Sequence, residues 1–394
     1  MEINSLAVDV VIDQNEDGYF VQIRNAPTGE AVAAFQPPFR PNELERLHRL
    51  VTTGEAFDAN GEAQNATLQG WGERLFRALF PGPLYSIIQS SHRFAFQERA
   101  RLRVRLEINQ HTPALTMLPW EYLFDPVRKE FMALSLQSPF FRYTNLMHQI
   151  LPLKVESPLR LLVVVSSPGG YPVFDREQAW FTVLDQLDSL ALEEKLVLER
   201  LAKPTLFDLQ RRLREKEFHL LHFIGHGVSN SLTGESSLIF EDEMGRGRPI
   251  NGEHLGALLR DHFSLRLVTL TTSDEVRTPT ANPFLTIASN LIRRGAPAVV
   301  ATQSKLDATT TATFAQKFYS LIANYTPVDL AMSETRRALF NEQPTGAWGL
   351  PALFMRSPDG RLFDPLPVDR VRADLDNGQS GRSRRLWPAF GRRR

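Results

Sequence analysis

Two positions in this chain carry residue types suited to moving a proton beside a reacting group. His226 closes the run His219-Leu220-Leu221-His222-Phe223-Ile224-Gly225, and 47 residues later Ser273 closes Leu267-Val268-Thr269-Leu270-Thr271-Thr272. Both runs read as buried strands that end in a polar residue. In an open parallel sheet the carboxyl ends of the strands face the ligand crevice, so His226 and Ser273 are expected to meet at one edge of it. An imidazole there can take a proton from a nucleophile. The next backbone N–H, on Gly227, has no side chain beside it and can point at a developing oxyanion. These residues therefore suggest His226 as a base and Gly227 as an oxyanion donor. A strand-end histidine more often serves as a hydrogen-bonded structural residue, and on these residues alone both readings stand.

Placing the two side chains together requires a sheet. From Leu159 the chain alternates strand and helix: a continuous aliphatic strand at 159–165 running into Ser166-Ser167-Pro168-Gly169-Gly170, then strands near 195–201, 219–224, 265–270, 298–301 and 352–356. Helices are expected between them at 177–190, 205–214 with Thr205 as cap, 251–261, 283–294 ended by Gly295, 312–323 and 328–340. This alternation predicts an α/β fold, a doubly wound, mostly parallel sheet with helices on both faces. A smaller α+β region should precede it. Strands at 8–12 and 19–24 flank Asn15-Glu16-Asp17-Gly18, helices lie near 44–51 and 71–80, a polar loop fills 54–65, and Pro81-Gly82-Pro83 ends the second helix. Arg101 to Ile108 alternates charged and aliphatic residues, as a half-buried strand does. The expected division is 1–150 for the accompanying region, 151–365 for the α/β core and 366–394 for a basic tail or linker.

The 394 residues are ample for a sizeable core. Their 45 basic and 45 acidic side chains cancel, which argues against a whole-chain field that would hold nucleic acid or an anionic membrane. With no cysteine there is neither a disulfide framework nor a thiolate metal site. The start, Met1-Glu2-Ile3-Asn4-Ser5, lacks the basic and apolar parts of a signal peptide, and no apolar run approaches the length of a bilayer span. Cytoplasmic residence without a membrane span is the expectation.

Several segments together resemble the CHAT domain, the caspase-like domain related to separase and the caspases. They are His222-Phe223-Ile224-Gly225-His226-Gly227, Leu267 to Ser273, Leu291-Ile292-Arg293-Arg294-Gly295-Ala296-Pro297 with Ala298 to Gln303, Phe314 to Leu321, and Trp348-Gly349-Leu350-Pro351-Ala352-Leu353-Phe354. Leu118-Pro119-Trp120-Glu121-Tyr122-Leu123-Phe124-Asp125 and Phe140-Phe141-Arg142-Tyr143 are similar to the region preceding the core in bacterial members. The resemblance implies peptide-bond-cleaving ancestry and a protein or peptide as substrate or regulatory partner, with no cofactor and no metal. It puts His226 on the catalytic histidine, Gly227 on an oxyanion donor together with the amide of residue 273, and Ser273 on the cysteine nucleophile. The last match is a departure. A thiol ionises near its pKa of about 8.5, whereas a serine hydroxyl needs a well-oriented base. The chain is therefore expected to be inactive as written, a natural pseudopeptidase or a peptidase whose cysteine was replaced. The alternative is a non-catalytic interaction module that uses the old cleft.

Asp274 and Glu275 follow the nucleophile position and Asp307 follows the strand ending near Gln303, so the three are candidates for binding a basic substrate side chain. Asp307 also suits a helix cap. His219 and His222 are expected to be packed or hydrogen bonded, since their i, i+3 spacing on a strand does not suit a shared metal. Trp120 beside Glu121 is expected to pack against the core. Gly169-Gly170 lacks the residues of a phosphate-binding motif. The arginines between Arg382 and Arg394 suit a solvated tail or a basic contact arm.

Overall fold

The computed structural model describes residues 4–53, 62–109, 112–146, 150–230, 233–273, 281–342 and 346–366. The basic tail beyond Leu366 lies outside them. The expected α/β sheet is present and runs through most of the chain. Its strand order is Leu196–Arg200, Leu159–Val165, Leu220–Gly225, Leu267–Thr272, Ala298–Thr302, Pro351–Met355, Phe140–Tyr143, Arg101–Ile108, Ser5–Asn15, Gly18–Arg24, Ala31–Ala34. The first five strands are mutually parallel, Pro351–Met355 is antiparallel to Ala298–Thr302, and the last two pairings are antiparallel. In chain order those first five read 2-1-3-4-5, so the order reverses between Leu159–Val165 and Leu220–Gly225, where an open sheet leaves its crevice.

The aliphatic runs form interior strands because both faces are covered. Leu161, Val163 and Val165 belong to one hydrophobic core, while the alternate residues Leu162 and Val164 belong to the other. A strand with one polar face would expose that face here, so continuous apolar sequence is what the position selects. Capping fixes the helix ends as expected. The Thr205 side chain accepts from Asp208 N–H at 3.0 Å, and Gly295, at φ 120°, ends the helix Pro283–Arg294.

Three elements depart from the sequence expectation. Pro81-Gly82-Pro83 ends one helix but opens another, Pro83–Gln97, because proline suits the first helical turn and Leu84, Ile88, Ser91 and Ala95 make one buried stripe. The helix expected at 71–80 starts at Glu62. After His226 the chain builds a small antiparallel sheet, Gly227–Ser229 with Ser236–Glu241 and Gly247–Asn251.

The first 150 residues share the main sheet with the rest. Phe140–Tyr143 pairs with Pro351–Met355, Arg142 opposite Phe354. At this seam Arg142, 3% exposed, donates to both carboxylate oxygens of Glu121, at 2.9 and 2.7 Å, and Glu121 is 1% exposed. Gln303 donates to the same carboxylate at 3.1 Å. Trp120 is fully buried, with its indole N–H donating to Leu115 O at 2.8 Å. The Trp120-Glu121 pair is thus interior packing. His219 accepts from Arg160 N–H at 3.0 Å, and His222 lies 2.8 Å from Thr271 Oγ1.

Removing one partner of a buried ion pair strands the other charge, so Glu121→Ala should lower unfolding free energy by about 3–5 kcal/mol in urea titration, with Glu121→Leu/Arg142→Leu recovering much of the loss. Burial pushes the His222 pKa down to about 4 from 6.5, so the folded chain holds it neutral while the unfolded chain binds the proton first as pH falls. Its contribution is intact above pH 6.5 and is lost between there and about 4, at most about 3 kcal/mol. Thermal melts of His222→Gln across that window should show a shallower pH slope than the parent.

Candidate active site

The pairing register brings the two strand ends together. Leu220–Gly225 and Leu267–Thr272 run parallel with Leu220 opposite Leu267 and Gly225 opposite Thr272. The next residue on each strand is His226 and Ser273. Adjacent strands lie about 4.8 Å apart, so the two side chains are within reach of each other. Ser273 Oγ stands 3.2 Å from His226 Nδ1. Thr302 holds this end of the sheet by accepting from Thr272 N–H at 3.1 Å. His226 is 2% exposed and Ser273 is partly exposed.

The imidazole is fixed by aromatic neighbours that the sequence reading did not single out. Tyr171 stacks on it at 5.7 Å and 24°, and Phe174 meets it edge-on at 5.6 Å and 67°. Both come from the segment after Leu159–Val165, across the point where the strand order reverses. Two aromatic residues closely following Gly169-Gly170, after a strand that ends on the same edge, were the available signal. That segment is tied to the small sheet: Gly169 N–H donates to Gly245 O at 2.9 Å and Gly247 N–H to Gly169 O at 3.2 Å. A Cβ at Gly247 would come within 2.3 Å of the Tyr171 ring. The Gly169 amide is thus held by backbone.

Gly227 has a packing reason to be glycine. A Cβ there would lie 2.7 Å from Phe284 Cε2 and 2.9 Å from Pro283 Cγ, at the start of Pro283–Arg294. Asn282 anchors that helix start, accepting from Phe284 N–H at 2.9 Å and donating to Gln303 O at 2.6 Å. The amide of Ser273 differs from expectation. It donates to Gly225 O at 3.0 Å, continuing the parallel ladder, so it is engaged and not open to an oxyanion. Asp307 is exposed and caps Ala308–Ala323, accepting from Thr310 N–H at 2.9 Å. Asp274 and Glu275 lie outside the described residues.

Residues 69–359 match the model of the CHAT domain, and the chain belongs to that family. No curated protein matches it. Among solved structures, two of the Saccharomyces cerevisiae separase–securin complex match at 10% and 9% identity with TM-scores of 0.48 and 0.46. They cover 90% and 89% of this chain, which spans only 30% of those chains. The Arg-specific cysteine proteinase gingipain R matches at 10% identity and a TM-score of 0.44, with 76% of each chain covered. Likenesses of this size decide neither activity nor substrate. No helix among the described residues is long and apolar enough to cross a membrane.

Because a Cβ at 227 must displace Pro283 or Phe284, Gly227→Ala should cost about 1–3 kcal/mol of stability, read as a lower urea midpoint at unchanged slope.

Proposed function

We propose that this chain is a bacterial, cytoplasmic CHAT protein of caspase-like, peptide-bond-cleaving ancestry, inactive as its sequence stands, whose cleft receives a segment of a protein partner. In this reading residues 1–150 accompany a core at 151–365, and 366–394 form a tail. The observation that carries the chemical part is the 3.2 Å approach of Ser273 Oγ to His226 Nδ1 at the carboxyl edge of the sheet.

A nucleophile at 273 passes its proton to His226 as it bonds to the scissile carbonyl carbon. The carbonyl oxygen takes the negative charge, for which the Gly227 N–H is the donor. The C–N bond then breaks as the imidazolium returns the proton to the leaving amine, and water later releases the acyl group by the reverse roles. A thiol ionises readily beside histidine, and a serine hydroxyl does not. A chain without any cysteine keeps the base but lacks the nucleophile suited to it. That same absence favours the second reading, a binding module with no chemistry. Asp274 and Glu275, next in sequence to Ser273, are our candidates for recognising a basic side chain. Asp307 is the weaker third, since its carboxylate already caps a helix.

Ser273→Cys should cleave peptides that the parent leaves intact, and adding His226→Ala should remove about 10²–10⁴ of the gained rate, the usual worth of a general base. A panel with Arg, Lys or Asp before the scissile bond decides substrate class. The parent should bind the Arg peptide about tenfold or more tighter than a neutral one. Binding without cleavage by Ser273→Cys supports the module reading, and equal affinity for both peptides ends the acidic-pocket assignment.

A further inference from the structure

The loop between the strand Leu159–Val165 and the helix Arg176–Leu192 supplies both rings that bracket His226, and a carboxylate outside the candidate active site holds that loop. Glu241 ends the strand Ser236–Glu241 of the small sheet and is 7% exposed. Its Oε1 accepts from Ser167 N–H at 3.2 Å, while Arg176 Nη1 donates to Oε1 at 3.0 Å and to Oε2 at 3.2 Å. Ser167 lies near one end of the loop and Arg176 at the other. One carboxylate therefore spans it, through hydrogen bonds of the stronger, charge-assisted kind. Within that span the Ser167 hydroxyl donates to Phe174 O at 3.0 Å and accepts from Phe174 N–H at 3.2 Å, which folds the loop back on itself.

The strand that carries Glu241 also holds the histidine. Ile239 donates its N–H to His226 O at 2.9 Å, and its carbonyl accepts from Ser166 Oγ at 2.8 Å. Glu241 N–H is fixed in turn on Pro204 O at 2.9 Å. One short strand thus sets the aromatic loop and the histidine backbone relative to each other. A nearly buried carboxylate costs free energy unless it is paired and hydrogen bonded, so release of the loop would strand it. The terminal torsion of a histidine is broad, and the plane of the ring is therefore set by its neighbours more than by its own rotamer.

Resting on the reading of His226 as a base, we propose that Glu241 is a positioning residue that acts through this loop. Its carboxylate holds Tyr171 and Phe174 against the imidazole and so keeps Nδ1 turned towards residue 273.

The test uses the full chain and two readouts that need no substrate. The first is the set of His226 ring-proton signals in NMR, assigned by their loss in His226→Gln, because the rings of Tyr171 and Phe174 displace them. The second is alkylation of Ser273→Cys by iodoacetamide at neutral pH; the chain has no other cysteine, so the rate reports that one thiol beside the imidazole. Glu241→Ala should return the ring signals towards those of a free imidazole and slow alkylation about tenfold. Glu241→Gln, which keeps an acceptor for Ser167 N–H, should retain part of both. Arg176→Gln, at an exposed position, should lose less than Glu241→Ala. Ile88→Val, a mild change in the core of the amino-terminal region, should alter neither readout. A folded Glu241→Ala chain with parental ring signals and parental alkylation overturns the proposal. Should Glu241→Ala fail to fold, unchanged values in both Glu241→Gln and Arg176→Gln overturn it. If Ser273→Cys alone is alkylated no faster than glutathione, the reading of His226 as a base fails, and the ring signals still decide whether Glu241 sets the ring.

Discussion

The arrangement depends on one constraint, the register between Leu220–Gly225 and Leu267–Thr272. Both strands are covered on both faces, with Leu220 and Leu267 in one core and Leu221, Phe223, Val268 and Leu270 in the other. A slip by one residue would exchange those sets and drive His222 and Thr269 into the wrong layer. The register is therefore fixed by packing over the whole strand length. The adjacency of His226 and Ser273 is its consequence, one residue beyond the last pair.

A second constraint joins the amino-terminal third to this core. Glu121, Arg142 and Gln303 form a buried polar cluster where Phe140–Tyr143 adds to the sheet, and Arg142 also lies over the Phe354 ring at 5.1 Å. Gln303 directly follows the strand Ala298–Thr302, and its backbone oxygen receives Asn282, the cap of the helix that presses on Gly227. A continuous set of contacts thus runs from the seam to the histidine edge. Because every member is buried, loss of one leaves a polar group without water to replace its partner.

Around His226 the protein uses shape. Tyr171 and Phe174 set the plane of the ring, and the glycines at 227 and 247 let a helix start and a tyrosine approach the backbone closely. The opposite edge of the sheet has the reverse character, an open cleft crowded with arginine. The strand Leu267–Thr272 connects the two as a rigid element, its ends facing different chemistry.

By itself the sequence determined the α/β class, the interior strands and several helix ends, because continuous aliphatic runs, Thr205, Asp307 and Gly295 each have a local physical meaning. It also led to the expectation that His226 and Ser273 follow strands at one edge of the crevice, and it determined that no thiol could serve as nucleophile. It did not disclose the helix Pro83–Gln97, since Pro81-Gly82-Pro83 signals a stop as strongly as a start. Nor did it disclose the small sheet after His226, whose strands are too short to carry a period. Only the tertiary structure decided that the Ser273 amide is bound to Gly225, that Tyr171 and Phe174 clamp the imidazole, and that arginines scattered from 260 to 356 converge. Each of these depends on contacts between segments far apart in the chain, and residue type and local spacing carry no information about such distances.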